Sequence, residues 1–353
     1  MVRFFGPVAV LTTLLGSGGT FAEQDKVTYD YIIVGGGTAG VALATRLSQG
    51  LPSASILLLE AGPANLVDDT ITIPGFGGRS WSGPFDWNLS TVAQTHLGGR
   101  KIPLPRGKVL GGSSALNLMV WDHGSRREYD AWEELGNPGW NWRSMYAAML
   151  RAHNFTRFPG TYGNEGVGAG GPVQTVISPS QPEYMRRFFI ETFNAVGPLS
   201  VGNVHIQPGE PPSRPAIDCG YLSAAYDVAA VIEAGKWMRR MGETQPLKSG
   251  LVLEYEPGLD LLGPNATDAE WEAWVRRSMA TLFHPSGTCA LLPRRDGGVV
   301  DPALRVYGTA NLRVVDASVM PLLVSGHIQS AVYGIAERAA EFIIGDSGKQ
   351  GSI

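Results

Sequence analysis

The sequence predicts an α/β fold: a Rossmann-like βαβ domain with a reduced α+β domain beside it. Three observations predict it. A short apolar strand at 29–34 runs into a glycine turn, Gly35-Gly36-Gly37-Thr38-Ala39-Gly40. A helix of small and apolar residues follows to about Leu47, and a buried strand at 55–60 completes the unit. The chain's 353 residues suffice for one large domain or two moderate ones, and 44% hydrophobic with 17% charged residues suits a globular core.

The turn carries glycine at 35, 37 and 40, the G-x-G-x-x-G spacing. Gly35 permits the tight turn, Gly37 lets backbone approach a pyrophosphate, and Gly40 lets helix and strand pack closely. The helix start then offers free N–H groups and partial positive charge to phosphates. Glu60 lies 20 residues beyond Gly40, at the end of the second strand, where a carboxylate accepts hydrogen bonds from an adenosine ribose. Strand, glycines, helix, strand and acid fall in order, which predicts dinucleotide binding. The turn and Glu60 fit a nicotinamide enzyme equally well.

Further along, residues 63–112 are rich in Gly and Pro and predict a long irregular segment. Helical spacing over 129–150 breaks near Pro138-Gly139, and a Gly-rich loop spans 157–171. Helices are expected at 182–196, 226–241, 271–279 and 329–344, and the run Asn311-Leu312-Arg313-Val314-Val315-Asp316 reads as a strand. The expected division is 1–22, a signal peptide; 23–196, an N-terminal nucleotide-binding region; 197–280, a remnant of a substrate domain; and 281–353, a C-terminal cofactor and catalytic block.

The signal reading rests on Arg3, an apolar run over 4–15, and Thr20-Phe21-Ala22 as a cleavage site, so that the mature chain begins at Glu23. A short membrane anchor is the alternative, but the run is shorter than the roughly 20 residues a bilayer needs. Sequons at Asn88, Asn154 and Asn265 agree with a secreted or secretory-pathway protein. A net charge of -4 offers no basic surface for nucleic acid or an anionic membrane. Cys219 and Cys289 match no metal-site spacing; whether they pair is open.

A second small-residue cluster, Arg106-Gly107-Lys108-Val109-Leu110-Gly111-Gly112-Ser113-Ser114-Ala115-Leu116-Asn117, would let backbone pass close to a flat ring or a phosphate. Read without context it is equally a basic loop entering a helix. Near the C-terminus, His284-Pro285-Ser286-Gly287-Thr288 and His327 are candidate proton-handling residues. Taken singly, each histidine reads more often as structural.

Three blocks together resemble the glucose–methanol–choline oxidoreductases, flavoenzymes that hold FAD and oxidise alcohols. They are 29–40; 105–132, including Glu128-Tyr129-Asp130-Ala131-Trp132; and 283–343, including Gly297-Gly298-Val299-Val300-Asp301-Pro302. The resemblance implies that the Rossmann-like domain binds FAD. It places Thr38, Ala39 and Glu60 on the adenosine diphosphate part. Val109, Gly112, Asn117, Leu118, Met119 and Val120 fall along the flavin and its ribityl chain. Asp316 and Ala317 would sit near the ribityl and pyrophosphate, and Gln329, starting the last helix, near the flavin pyrimidine. His284 and His327 match the two active-site positions, one to take the hydroxyl proton and one to orient the alcohol. The implied partners are a small-molecule alcohol and oxygen or a quinone as electron acceptor.

Two departures stand out. His123 occupies a position where arginine is usual. The family's long central part has no counterpart: residues 193–197 pass almost directly to 204–206 and 215–218, a shortfall of roughly 200 residues against a two-domain chain. That part supplies sheet strands and pocket walls, so the competing expectation is a shortened, non-catalytic family member.

Overall fold

The computed structural model describes residues 8–12, 27–64, 67–156, 167–176, 202–207, 214–245, 247–250, 254 and 256–350. The helix expected at 182–196 and most of the proposed signal lie outside these residues. The chain divides into two compact units. The first comprises Met1–Asn88, Pro105–Ile177 and His284–Ile353; the second comprises Leu89–Leu104 and Ser178–Phe283. The segment 89–104, read from sequence as part of the N-terminal region, thus clusters with the second unit.

The first unit is built on a three-stranded parallel sheet of order β1-β3-β2, with β1 Val8–Thr12, β2 Tyr31–Val34 and β3 Ile56–Glu60. Tyr31 pairs with Ile56 and Val34 with Leu59, the register the βαβ reading requires. On its other edge β3 pairs with β1, Val8 opposite Ile56, so five residues of the apolar run read as a signal stand in the sheet. Helix α1, Thr38–Gly50, joins β2 to β3 and buries Ala39, Leu43, Ala44 and Leu47 along one stripe. It packs on the C-terminal helix, Gln329–Gln350, whose small residues Ala336, Ala339 and Ala340 permit the close approach.

The helical pattern over 129–150 resolves into α2, Arg126–Glu134, and α3, Trp142–Ala152. Capping boxes, Ser125 with Glu128 and Asn141 with Ser144, start each helix. Gly136 and Gly139, at φ +98° and +84°, carry the chain between them around Pro138. Tyr129, Trp132 and Trp140 are fully buried and hold α2 against the C-terminal block. Buried Glu337 on the last helix accepts from Arg46 of α1 at 2.7 Å and Arg151 of α3 at 3.3 Å, fastening three helices through one carboxylate.

One expected element is corrected. The run from Asn311 to Asp316 is not a strand; it makes a single antiparallel bridge, Arg313 to Arg305, and two backbone hydrogen bonds to the same segment, Val314 N–H to Leu304 O and Val306 N–H to Leu312 O. A β-prone run becomes a strand only beside a partner, and its partner among the described residues, Leu304 to Val306, is too short to continue the ladder. One face of β2 is also bare: Ile32 and Val34 are 58% and 82% exposed, where parallel strands are ordinarily covered on both faces.

The second unit pairs helices Ala225–Gly242 and Asp268–Ser278 over Val228, Ile232, Trp271 and Val275. Two short antiparallel ribbons, Leu89–Ser90 with Pro103–Leu104 and Asn203–His205 with Ala216–Asp218, complete a small α+β body. Cys219 and Cys289 are both free thiols. Among the described residues no helix is long and apolar enough to cross a membrane.

Candidate active site

Both cofactor clusters read from sequence meet at one point of the first unit. The glycine turn leaves β2 at Gly35, and a Cβ on Gly40 would lie 1.9 Å from the Gly35 carbonyl oxygen, so the third glycine is a steric necessity. Gly36 accepts from Gly111 N–H at 2.7 Å, laying the second cluster on the first. Gly112 sits at φ +54°, with the position of a Cβ only 2.6 Å from Gly37 Cα. The second cluster is a single 3-10 turn, Gly112–Ala115, rather than the start of a longer helix.

Glu60 is turned beneath this turn. Its Oε2 accepts Gly36 N–H at 2.7 Å and its Oε1 accepts Gly62 N–H at 2.8 Å. The carboxylate is thus committed to shaping the loop, with only its remaining lone pairs left for a ribose.

A polar strip runs outward from the glycine turn. Thr38 Oγ1 and Ser114 Oγ lie 2.6 Å apart; Gln329 Nε2 donates to Ser114 Oγ at 3.1 Å; Asn117 Nδ2 donates to Gln329 Oε1 at 2.8 Å. Asn117 Oδ1 in turn accepts Met119 N–H at 2.9 Å, and Met119 stands at φ +59°. Leu118, Met119 and Val120 follow with 53%, 51% and 43% of their surface open, an apolar shelf next to a polar edge. Val109, assigned to the same lining, is fully buried against Phe85 and Leu116, so only its backbone faces the loop. Asp316 caps the turn Ala317–Val319 through Ser318 N–H at 2.8 Å, and Ala317 O accepts Gly287 N–H at 3.3 Å. The Asp316-Ala317 pair therefore anchors the loop that carries His284.

These features fit FAD. No side chain caps α1, which leaves its first-turn N–H groups for a pyrophosphate. The exposed shelf beside Asn117 and Gln329 suits a flat ring with one hydrogen-bonding edge.

The two histidines meet. Their ring centroids are 5.1 Å apart at 84°, edge to face. Burial, then the neighbouring His327 ring, then Arg106 pull the His284 pKa down to about 4, with Asp122 opposing. His284 is therefore neutral over the whole physiological range. His327 is held from three sides. Glu128 of α2 accepts Ser325 N–H at 2.9 Å and Ser325 Oγ at 3.0 Å; Asp122 accepts His327 N–H at 2.8 Å; and Asp122 Oδ2 lies 3.2 Å from His327 Nδ1. Asp122, Glu128, Ser114 and Arg106 carry no assigned role in the sequence reading. Glu128 and Arg106 stand inside quoted motifs, but Asp122 meets His327 across 205 positions with no local signal.

Behind Asp122 lies a second imidazole pair. His123 and His153 are 5.3 Å apart between centroids, and Trp121 packs on both. Trp121 Nε1, His123 Nε2 and His153 Nδ1 are buried without a hydrogen-bond partner. Burial first, then His153, lowers the His123 pKa from 6.5 to about 4. The unfolded chain therefore binds the His123 proton near 6.5 while the folded chain resists it until about 4. Stability is undiminished above pH 6.5 and falls as the pH drops toward 4, by on the order of 2–3 kcal/mol from this group. Thermal unfolding followed from pH 7 to 4 should show that slope, and His123→Gln should flatten part of it; parallel slopes would rule out His123 as the source.

Comparisons with known proteins give the family. Two family models described as GMC oxidoreductase match the chain, one over residues 29–215 and one over 198–336. A GMC oxidoreductase family protein of Malassezia sympodialis is 46% identical over 149 residues, covering 42% of this chain and 24% of that relative's length. A glucose oxidase-like protein of Humicola fuscoatra is 24% identical over 583 aligned positions, covering 96% of this chain and 99% of the relative. Because the chain has 353 residues, a long stretch of that relative has no counterpart here. Among solved structures, a formate oxidase variant of Aspergillus oryzae superposes with a TM-score of 0.81 at 18% identity, covering 92% of this chain and all of the other, a likeness of fold.

Proposed function

The chain belongs to the GMC oxidoreductase family, and from that premise we propose that it is an FAD-dependent oxidoreductase acting on the CH–OH group of a primary or secondary alcohol. The observation that carries the reading is the edge-to-face pair His284 and His327, with Gln329, two residues after His327, hydrogen-bonded to Asn117 at the start of the apolar shelf. FAD, when bound, supplies the acceptor for the hydride leaving the carbinol carbon, and oxygen or a quinone takes the electrons onward. Gly35, Gly37, Thr38, Ala39, Gly40 and Gly112 would hold its phosphates, with Glu60 shaping their loop. Asn117, Leu118, Met119, Val120 and Gln329 would meet its ring, and Asp316 with Ala317 would support the ribityl side. The imidazoles take the hydroxyl proton and align the oxygen; neutral His284 accepts a hydrogen bond without first losing a proton.

His284→Ala tests this. The purified variant should stay yellow, while bleaching of the flavin band by a panel of aryl, aliphatic and sugar alcohols slows about 100-fold or more. Undiminished bleaching would remove His284 from the chemistry. Export is part of the proposal, supported by the sequons and the apolar N-terminal run; cleavage before Glu23 takes β1 out of the sheet and leaves β2 and β3, and a mature chain beginning at Glu23 on N-terminal sequencing would bear it out. A second reading, a family member without turnover, is favoured by the bare face at Ile32 and Val34. It requires a colourless protein even after refolding with excess FAD.

A further inference from the structure

We propose that Asn265 is the residue of this chain that carries an N-linked glycan, and that the sequons at Asn88 and Asn154 stay bare in the folded protein. The inference rests on the export reading above, because only a chain in the secretory lumen meets the lipid-linked oligosaccharide that donates the sugar. In the transfer, the Asn265 amide nitrogen bonds to the anomeric carbon of the first sugar. The bond from that carbon to the diphosphate of the lipid carrier breaks, the diphosphate leaves with the electron pair, and the amide gives up one proton. The modified amide keeps one N–H and its acceptor oxygen, and it carries a bulky, hydrated group that belongs in solvent.

The three sequons are alike as motifs but differ in what their amides already do. Asn88 stands at φ +52°, and its Nδ2 donates to two backbone carbonyls, Gly83 O at 3.3 Å and Asp86 O at 3.1 Å. A sugar on that nitrogen replaces one of its two protons and so takes away one of the two bonds. The Asn88 N–H is itself tied to Asp86 Oδ1 at 3.0 Å, the oxygen that also accepts Arg106 N–H at 2.9 Å where the second cofactor cluster begins. Asn154 lies in the strand His153–Thr156, paired with Val173–Val176. Its Nδ2 donates to Gln174 Oε1 on the partner strand at 3.0 Å, and its Oδ1 accepts Gly170 N–H at 3.0 Å. Both ends of that amide are spent on the fold.

Asn265 has no such duty. It is exposed, and its side chain makes no hydrogen bond among the described residues. It is the third residue of a reverse turn, Gly263-Pro264-Asn265-Ala266, closed by Ala266 N–H to Gly263 O at 3.1 Å, with Pro264 at the position where its fixed φ suits the turn. The turn is held from both sides, since Leu262 before it and Trp271 after it are buried in the core of the second unit. Thr267, the last residue of the sequon, caps the helix Asp268–Ser278 and donates its hydroxyl to Glu270 Oε2 at 2.8 Å. A glycan at Asn265 thus leaves every one of these contacts in place.

The test uses the full chain with a yeast secretion leader placed ahead of Met1, beside the full chain without it. Peptide-N-glycosidase in heavy-oxygen water converts each glycan-bearing asparagine to an aspartate marked with heavy oxygen, and peptide mass spectrometry reads its position. The mark should fall on Asn265, and on neither Asn88 nor Asn154, in the protease-resistant chain recovered from the medium or the lumen. Asn265→Gln should abolish the glycosidase-sensitive shift in gel mobility. Ser90→Ala and Thr156→Ala, which remove the other sequons without touching their asparagines, should leave the shift intact. A leaderless chain that stays in the cell, beside a leader-bearing chain marked at Asn265, would sink the export reading and leave the glycan site standing. An unmarked Asn265 in the leader-bearing chain, or a mark on Asn88 or Asn154 in the protease-resistant protein, overturns the proposal.

Discussion

Gly112→Ala yields a colourless protein. The added methyl would stand 2.6 Å from Gly37 Cα, a backbone atom that cannot swing aside as a side-chain tip can. The residue also sits at φ +54°, where any L side chain is strained by about 1–2 kcal/mol. Relief requires the two loops to part, which breaks the Gly111 N–H to Gly36 O bond and shifts the uncapped start of α1. If that helix start holds the FAD phosphates as proposed, parting the loops withdraws its N–H groups from them and the cofactor is lost. Titration of the apo-protein with FAD, followed by flavin fluorescence, measures it. Gly75→Ala is the control, since nothing lies within 4 Å of its added methyl. Stoichiometric flavin in Gly112→Ala would show that the meeting of the two loops does not build the site.

Trp132→Ala should cost the most stability. The side chain is fully buried, stacked edgewise on Tyr129 at 5.1 Å and near Trp140 at 6.5 Å. Truncating a buried tryptophan costs about 3–5 kcal/mol, and loss of its Nε1–H strands the Leu322 carbonyl that accepts it at 3.0 Å. Against a typical stability of roughly 5–15 kcal/mol, that is a third or more of the whole. Leu322 lies just before the Ser325-Gly326-His327 turn, so the surviving folded fraction should also bleach more slowly. Thermal unfolding measures the first effect and stopped-flow bleaching the second. A change in melting temperature no larger than that of Trp237→Ala, which removes a 37% exposed ring, would deny Trp132 this role.

The glycine turn, its flanking strands and the helix after it were legible because their determinants are local. Gly35 and Gly40 answer to backbone geometry within six residues, and Leu43 and Leu47 recur at the period of a helix. The break at Pro138-Gly139 is likewise written in residues that cannot continue a helix. The run from Asn311 to Asp316 misled because strand propensity describes a side chain's fit to a sheet, and the neighbour needed for that sheet is a matter of distant chain.

By itself, then, the sequence determined the βαβ unit with its glycine turn and the family, and it singled out the two histidines as candidates, since torsion preferences, periodicity and short motifs act along the chain. Only the tertiary structure decided that Glu60 braces the glycine turn, that Val109 faces inward, and that Asp122 grips His327 from 205 positions away. Hydrogen bonds act over about 3 Å of space and take no account of separation along the chain, so their partners emerge only once the backbone has closed on itself.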